Sequence, residues 1–147
     1  MMRGEELGEA LTLARHGFRK FVAPDFLPQG VAAFLAYIEI GQTAQRIADG
    51  TLEFWVCKFA GQMAGMLAMR NRGHISLLFV DEAHFRRGVA RKLAEAAFDA
   101  ARKSGKERVS VHASPYAAGF YRAVGFKDTD AEKHENGMVY VPMECIL

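Results

Sequence analysis

A cluster of basic residues surrounds one glycine at the point where an apolar run changes into a helical pattern. Arg86 and Arg87 stand directly before Gly88, and Arg91 follows shortly after it. The first N–H groups of a helix lack intrahelical partners, and the helix dipole favours negative charge there. Gly88 has no Cβ, so a phosphate can approach the backbone closely. The arginines supply charge that suits a diphosphate or a nucleotide phosphate. The pattern indicates an anion-binding turn, although a strand-to-helix turn can also need a glycine while its arginines are merely solvated.

Two common phosphate-binding motifs are absent from the sequence. It contains neither the GxxxxGK[ST] pattern of a P-loop nor the GxGxxG fingerprint of a dinucleotide-binding fold. The turn therefore predicts a phosphate-bearing ligand of another kind.

A second candidate for chemistry lies further along the chain, in HASPYAAGFYRAVGF, residues 112–126. Tyr121 falls on a predicted short helix beside Phe120, and Gly125 suits the position that ends such a helix. By itself this pattern favours a packed core tyrosine over a catalytic one.

The elements that would position these motifs follow from the spacing of apolar residues. Before Gly50 the apolar side chains recur at helical spacing. From Thr51 to Val80 they alternate as in strands, and these three strands are predicted to form an antiparallel meander. A helical crossover separates the strand at 74–80 from that at 108–113, so these two should lie parallel. The predicted elements are helices over 5–21 and 30–40 with an added turn over 43–49, strands over 51–60, 63–70 and 74–80, a helix over 88–103, a strand over 108–113, a helix over 115–124, and strands over 125–129 and 137–143.

Size and composition limit the class of protein. The chain has 147 residues and is 50% hydrophobic, which suits one domain, residues 1–147, and argues against disorder. A formal net charge of +2 does not suggest a nucleic-acid-binding protein. Cys57 and Cys145 are far apart and lack the spacing of a metal site, so no metal is predicted. No segment resembles a signal peptide or a membrane span, and we expect a cytoplasmic protein without a membrane partner.

Taken together, FRRGVARKL and SPYAAGFYRAVGF resemble the GNAT superfamily of acyl-CoA-dependent N-acyltransferases. That family carries [Q/R]-x-x-G-x-[G/A] at the start of its central helix, and a later helix usually ends F/L-Y-x-x-x-G-F. Both patterns occur here in the same order, and the resemblance is close over residues 51–143 and loose before them. Phe85 replaces the usual Gln or Arg, and Ser114 stands where many relatives have Asn. No strand is predicted ahead of the first helix, where the family usually has one.

The resemblance implies an α/β (α+β) fold. It would have a mixed, mostly antiparallel central sheet with splayed parallel strands and helices on both faces. The strands that splay would be Leu77–Val80 and Val109–His112, and the co-substrate acetyl-CoA would bind between them. Val80 would pair with the pantetheine through its backbone, and the N–H groups from Arg86 to Ala90 would hold the diphosphate. The residues that would contact acetyl-CoA are Phe79, Val80, Phe85, Arg86, Arg87, Gly88, Val89, Ala90, Arg91, Ser114 and Tyr116.

The resemblance also implies the catalytic roles. The Leu78 N–H would donate to the thioester oxygen as the amine attacks directly and a tetrahedral intermediate forms. Tyr121 would protonate the leaving thiolate, and His74 would remove a proton from the amine. Ser76, two residues from His74 and on the same side of the strand, could hold a water that relays this proton. His112 is the alternative base.

The implied function is N-acetyl transfer to a primary amine of a small molecule or a protein. Two alternatives stay open: a regulatory module that binds acyl-CoA without turnover, and a toxin-type relative that acetylates aminoacyl-tRNA. Since relatives often form dimers and the sheet edge is undefined, a homodimer is open as well.

The acceptor amine would enter opposite the cofactor, past a wall of aromatic residues formed by Phe26, Phe34, Tyr37, Tyr140 and Trp55. By themselves these aromatic side chains favour a place in the core over a role in the acceptor wall. Several carboxylates could attract a cationic amine or simply be solvated, namely Glu39, Asp130, Glu132 and Glu135.

Overall fold

The structure is a computed structural model that describes residues 4–147. A π-helical turn and a 3-10 turn follow the first helix, and a second 3-10 turn precedes the fourth. The elements, in chain order, are α1 (Gly4–Gly17), α2 (Pro28–Tyr37), α3 (Ile40–Ala48), β1 (Leu52–Phe59), β2 (Gln62–Arg70), β3 (His74–Val80), α4 (Val89–Lys103), β4 (Arg108–Ala113), α5 (Ala118–Ala123), β5 (Lys127–Asp128), β6 (Lys133–Glu135) and β7 (Met138–Ile146).

The strands form a seven-stranded mixed sheet in the order β1-β2-β3-β4-β7-β5, with β6 pairing to β7. Among the described strands only β3 and β4 pair in parallel, and every other pair is antiparallel. The mostly antiparallel mixed sheet predicted from the sequence is therefore confirmed. The prediction that 74–80 and 108–113 lie parallel is confirmed with it.

One face of the sheet is covered by α4. Its buried residues recur at positions that share one side of a helix, including Val89, Leu93, Ala97 and Ala101. They pack against β1, β2, β3 and β4, and α5 adds Tyr121 to the same apolar cluster. Because the apolar side of α4 is buried from Val89 onwards, the amino terminus of the helix is packed beside the end of β3.

The opposite face is covered by α1. Leu7, Leu11 and Ala14 lie along one side of this helix and pack over Met66 and Leu77 of the sheet. The π-helical turn Phe18–Val22 then redirects the chain. The two helical layers lie on opposite faces, as the fold prediction required.

The helices α2 and α3 differ in their bounds from those predicted. Pro28 begins α2, rather than Gly30, because a proline at the first helical position loses no hydrogen bond. The added turn predicted over 43–49 is the full helix α3, whose N-cap is Glu39. The Glu39 carboxylate accepts from the N–H groups of Gly41 and Gln42 at 2.9 Å each.

The acidic loop before the last strand contains β6, which was not predicted. Glu135 and Met138 are paired across a two-residue turn whose residues, Asn136 and Gly137, both have positive φ, 53° and 79°. Asn-Gly is the dipeptide that favours a type I′ hairpin turn, so the signal for this strand was present in the sequence.

Candidate active site

The parallel strands β3 and β4 pair at only two positions. His74 lies opposite Ser110 and Ile75 lies opposite Val111, and beyond these the two strands diverge. The splay implied by the family resemblance is therefore present. On β4 it begins after Val111 and not at Val109, because the first half of the strand remains paired.

A β-bulge at Ser76 accompanies this divergence. β3 pairs with β2 at Ile75 and Leu77 and skips the residue between them. The bulge shifts the side-chain alternation, so Ile75 and Leu77 are buried on opposite faces of the sheet. The alternation that placed Ser76 on the face of His74 does not hold across the bulge. The Ser76 hydroxyl instead donates to the Ala68 carbonyl at 3.4 Å.

Beyond the bulge, the backbone of β3 presents unpaired groups to the gap. The Asp81 N–H donates to the Ala64 carbonyl at 2.8 Å, and Val80 lies opposite Gly65. In an antiparallel ladder, a bond between the residue after Val80 and the residue before Gly65 marks Val80–Gly65 as a non-hydrogen-bonded pair. The N–H and C=O of Val80 therefore point away from β2. Two residues earlier, Leu78 has the same orientation. Both residues therefore direct their backbone groups into the gap between β3 and β4.

The basic turn leads from β3 into α4 and lies beside the mouth of this gap. Gly88 is the N-cap of α4 in a left-handed conformation, with φ 77°, and a Cβ added there would meet nothing within 4 Å. Arg86 also has a positive φ, 63°. Among the described residues, no carboxylate forms a salt bridge with Arg86, Arg87 or Arg91. The turn thus leaves helix N–H groups and guanidinium groups free for an anion.

The gap opens into a cleft of ≈ 930 Å³, a volume typical of sites for small organic ligands. Among the residues predicted to act in catalysis or to contact acetyl-CoA, Arg87 alone does not line it; its guanidinium lies 6.0 Å from the centre of the Phe59 ring. The predicted residues that do line it are His74, Leu78, Phe79, Val80, Phe85, Arg86, Gly88, Val89, Ala90, Arg91, Ser114, Tyr116 and Tyr121.

Two histidines face each other across the paired start of β3 and β4. The Nδ1 of His74 lies 2.8 Å from the Ser110 hydroxyl, and its ring centre lies 4.8 Å from that of His112. Burial, with smaller contributions from Arg70 and His112, lowers the pKa of His74 to about 4. Burial also lowers the pKa of His112, whose exposed ring stacks on Tyr140 at 4.3 Å. Both imidazoles are therefore neutral at physiological pH and able to accept a proton.

The lowered pKa of His74 predicts a loss of stability in acid. Between the ordinary pKa of histidine, about 6.5, and about 4, the unfolded chain binds a proton at His74 that the folded chain does not. Stability is therefore full above about pH 6.5 and falls as the pH decreases towards 4. The check is the free energy of unfolding, measured with urea near pH 7 and near pH 5. Its decrease between these pH values should be about 1 kcal/mol smaller in His74→Asn than in the wild type, after allowance for the partial exposure of His74.

The control for that comparison is His134→Asn, a substitution at an exposed histidine of β6. This variant should follow the wild type at both pH values. An identical loss for wild type and His74→Asn would show that His74 titrates normally in the folded protein.

Tyr121 lies at the inner end of the cleft, on the α4 face of the sheet. It is 4% exposed and packs edge-on against Phe120 and Phe126, at 5.4 and 5.2 Å between ring centres. Burial raises the pKa of its hydroxyl above the ordinary value. Tyr121 is thus both a core residue and a cleft residue, and it remains protonated at neutral pH.

Aromatic side chains from three segments meet at the outer end of the cleft. Phe21 stacks on Tyr116 at 4.6 Å and lies 5.7 Å from Phe85. Phe85 and Tyr116 are both exposed. Ser114 serves the local backbone, because its hydroxyl accepts from the Ala117 N–H at 3.2 Å. Phe85 therefore contributes an exposed aromatic face where a polar side chain is usual in the family.

The other end of the cleft is lined by α2 and β7, as predicted for the acceptor. Phe26, Phe34, Tyr37 and Tyr140 all line it. Trp55 does not; it packs against the apolar cluster under α4, on the opposite face of the sheet. This part of the prediction was wrong because β1 is separated from the cleft by β2.

Two further residues of the site were not predicted. Arg70, the last residue of β2, lines the cleft and lies directly opposite His74. Ser110 holds the His74 ring. A single arginine at the end of the apolar segment MAGMLAMR was the signal for the first. No signal in the sequence marks Ser110, because its partner is reached only through the parallel pairing of β3 with β4.

The described residues offer neither a metal site nor a membrane-spanning helix. No group of three or more histidine, cysteine or carboxylate side chains within 4–147 is placed to hold a metal ion. None of the described helices is long and apolar enough to cross a membrane.

The chain is similar to known acetyltransferases in sequence and in fold. The sequence profile of the acetyltransferase (GNAT) domain matches residues 22–147. A GCN5-related N-acetyltransferase from Rhodopseudomonas palustris superposes with a TM-score of 0.83 at 20% identity, over 99% of this chain and 92% of that one. The PaiA N-acetyltransferase from Thermoplasma acidophilum, solved with coenzyme A, gives 0.77 at 13% identity, over 99% and 96%. Tetrahymena GCN5 gives 0.69 at 19%, over 97% and 86%. No curated protein sequence matches the chain.

Proposed function

Because the chain belongs to the GNAT acetyltransferase family, we propose that it transfers the acetyl group of acetyl-CoA to a primary amine by direct attack. The amine would belong to a small molecule or a protein. The observation that carries this proposal is the gap between β3 and β4, which opens beside the basic turn at the start of α4.

The chemistry of the gap fits the arm of a coenzyme A thioester. Backbone groups of Val80 point into the gap without a strand to pair with, and an amide-containing arm would supply the missing partners. The free N–H groups from Arg86 to Ala90 would bind a diphosphate, and Arg86 and Arg91 would add charge-assisted hydrogen bonds. Phe79, Phe85, Val89, Ser114 and Tyr116 complete the lining. Arg87, outside the cleft, contributes long-range charge.

Acyl transfer requires a hydrogen-bond donor to the oxygen that becomes negative and a proton donor to the leaving sulfur, and residues at the centre of the cleft suit both roles. Acetyl-CoA, when bound, supplies an acetyl group activated as a thioester. The Leu78 N–H, which has no strand partner, would donate to the oxygen on which negative charge develops. Tyr121 would donate its proton to the leaving sulfur, since it stays protonated at neutral pH. Both groups belong to elements that are packed into the core.

His74 or His112 would receive the proton that the amine must lose before it attacks. His74 is neutral and held by Ser110, but burial makes it a weak base. His112 is more exposed and reaches the acceptor side of the cleft beside Tyr140. We assign the role to His74 and keep His112 as the alternative.

Calorimetric titration with acetyl-CoA tests whether the protein binds the acetyl donor, on which the whole proposal depends. A triple substitution of Arg86, Arg87 and Arg91 by Ala should weaken acetyl-CoA binding by about 30-fold, since each guanidinium that contacts phosphate contributes a charge-assisted hydrogen bond. The matched control replaces Arg102, Lys103 and Lys106 by Ala. It removes the same charge near the other end of α4 and should leave binding within about twofold.

The outcomes separate the candidate functions. No binding by the wild type would overturn the proposal. Binding without release of coenzyme A thiol in the presence of any amine would favour the regulatory module. Equal losses in the two triple variants would mean that overall charge, not the basic turn, attracts the ligand.

A further inference from the structure

The acceptor end of the cleft contains an arginine without a counter-ion. Arg70 lies on the sheet face that His74 occupies, directly across the β2–β3 pair. Its side chain is exposed. Among the described residues, it has no salt bridge and no side-chain hydrogen bond. The positive charge of Arg70 contributes to the lowered pKa of both His74 and His112.

Among the described residues, no aspartate or glutamate lines the cleft to receive a cationic amine. Glu39 caps α3, Asp130 pairs with Lys133 at 3.2 Å, and Glu132 lies 3.1 Å from His134. The fourth candidate, Glu135, lies near His112 and Tyr140, and at His112 its charge is opposed by those of Arg70 and Lys133. Three of the four candidate carboxylates are therefore engaged elsewhere, and Arg70 is the charged residue that lines the acceptor end.

A small groove of ≈ 210 Å³ adjoins the cleft at Arg70 and Tyr37. Arg46 also lines it, with its guanidinium 4.4 Å from the centre of the Tyr37 ring and donating to the Tyr37 carbonyl at 2.8 Å. Arg46 also donates to the Gln42 side chain at 3.3 Å. The Tyr37 hydroxyl is buried and has no hydrogen-bond partner among the described residues. Because Arg46 is already engaged, Arg70 is the cation of this groove whose donors stay available to a small anion.

We propose that the acceptor carries a carboxylate that binds Arg70, and that it is an amino acid with a large apolar side chain. This inference rests on the proposed N-acetyltransferase function and specifies its substrate class. The aromatic wall of Phe26, Phe34 and Tyr140 supplies the apolar surface for the side chain. Extended strand geometry of roughly 3.3 Å per residue separates Arg70 and Leu78 by about 10 to 13 Å. An extended arginine side chain and a short amino acid fill that span together.

Binding of a carboxylate would also affect the proton acceptor. Offsetting the charge of Arg70 removes part of the repulsion that disfavours protonated His74 and His112. The correct acceptor would thus strengthen the base that it needs, whereas an amine without a carboxylate would not.

The experiment compares pairs of amines that differ only in the carboxylate, with saturating acetyl-CoA. One pair is L-phenylalanine and phenethylamine, and the other is L-leucine and isoamylamine. The wild type should acetylate the amino acid of each pair with a kcat/KM at least tenfold higher. Arg70→Met should lower kcat/KM for the amino acids by about 10- to 100-fold and leave the simple amines within about threefold. Arg72→Met, a change at an exposed arginine of the same hairpin, should behave as the wild type.

Equal acetylation of both members of each pair by the wild type would overturn the substrate class while leaving the transferase function intact. An Arg70→Met variant whose kcat/KM falls equally for both amines of a pair would also overturn the substrate class. A wild type that acetylates none of the four amines would overturn it as well. Two measurements on the same preparations separate these results from a failure of the proposed function. Calorimetry shows whether acetyl-CoA still binds, and release of coenzyme A thiol with a panel of other primary amines shows whether acetyl transfer occurs. Because Arg70 lies at the acceptor end, its substitution should not change acetyl-CoA affinity.

Discussion

Replacing Tyr121 by Phe is expected to lower kcat by about 100-fold while acetyl-CoA affinity stays within about twofold. The substitution removes only the hydroxyl and keeps the ring between Phe120 and Phe126. Without that hydroxyl the sulfur would leave as a thiolate with no proton donor beside it. Because burial raises the pKa of Tyr121, the wild-type rate should show no loss of this proton donor up to about pH 9.

Turnover is measured by the release of coenzyme A thiol, and affinity by calorimetry on the same variant. Phe98→Leu provides the matched control. Phe98 is buried in the same apolar cluster, 5.8 Å from Phe126 between ring centres, and does not line the cleft. Its substitution should cost about 1 kcal/mol of stability without a change in kcat. An unchanged kcat in Tyr121→Phe would remove Tyr121 from the mechanism.

Replacing Gly30 by Leu is expected to raise the KM for the acceptor amine and to destabilise the protein, while acetyl-CoA affinity is preserved. A Cβ at Gly30 would overlap the carbonyl of Gly137, so any side chain forces α2 away from the β6–β7 turn. That movement breaks the bond from the Leu27 N–H to the Gly137 carbonyl, which is 2.8 Å long. Since both elements line the acceptor end, the amine KM should rise by at least tenfold. Overpacking against backbone should also cost about 2 to 4 kcal/mol of stability.

The comparison variant is Gly8→Ala in α1. A Cβ there would meet none of the described atoms within 4 Å, so alanine should stabilise the helix by about 1 kcal/mol and leave kinetics unchanged. Acetyl-CoA affinity should be preserved in both variants, because the basic turn lies at the other end of the cleft. A Gly30→Leu variant with wild-type stability and wild-type amine KM would show that α2 is not held by this contact.

Several elements were predictable because their signals are local. The spacing of Val89, Leu93 and Ala97 specifies an amphipathic helix, and alternation after Thr51 specifies strands, whatever the rest of the chain does. The basic turn was equally visible, because Arg86 to Gly88 and the helix that follows them are contiguous. The groups proposed to bind the diphosphate in this turn are backbone N–H groups, whose direction follows from the helix itself.

The acceptor end was not predictable to the same degree. Trp55 and Tyr37 look alike in the sequence as aromatic residues near predicted elements, yet only Tyr37 faces the cleft. The difference depends on which face of β1 meets which helix, and a short-range pattern does not contain that information. Ser76 was misplaced for a related reason, since one extra residue in a strand reverses the alternation beyond it.

The sequence by itself determined the family, the order of most elements and the position of the basic turn, since these depend on neighbouring residues and on two contiguous motifs. Only the tertiary structure decided which side chains meet. It placed His74 against Ser110, left Arg70 facing the cleft without a carboxylate, and opened the gap between β3 and β4 after two paired positions. These features arise from pairing between strands that are far apart in the chain, where a shift of one residue changes every contact.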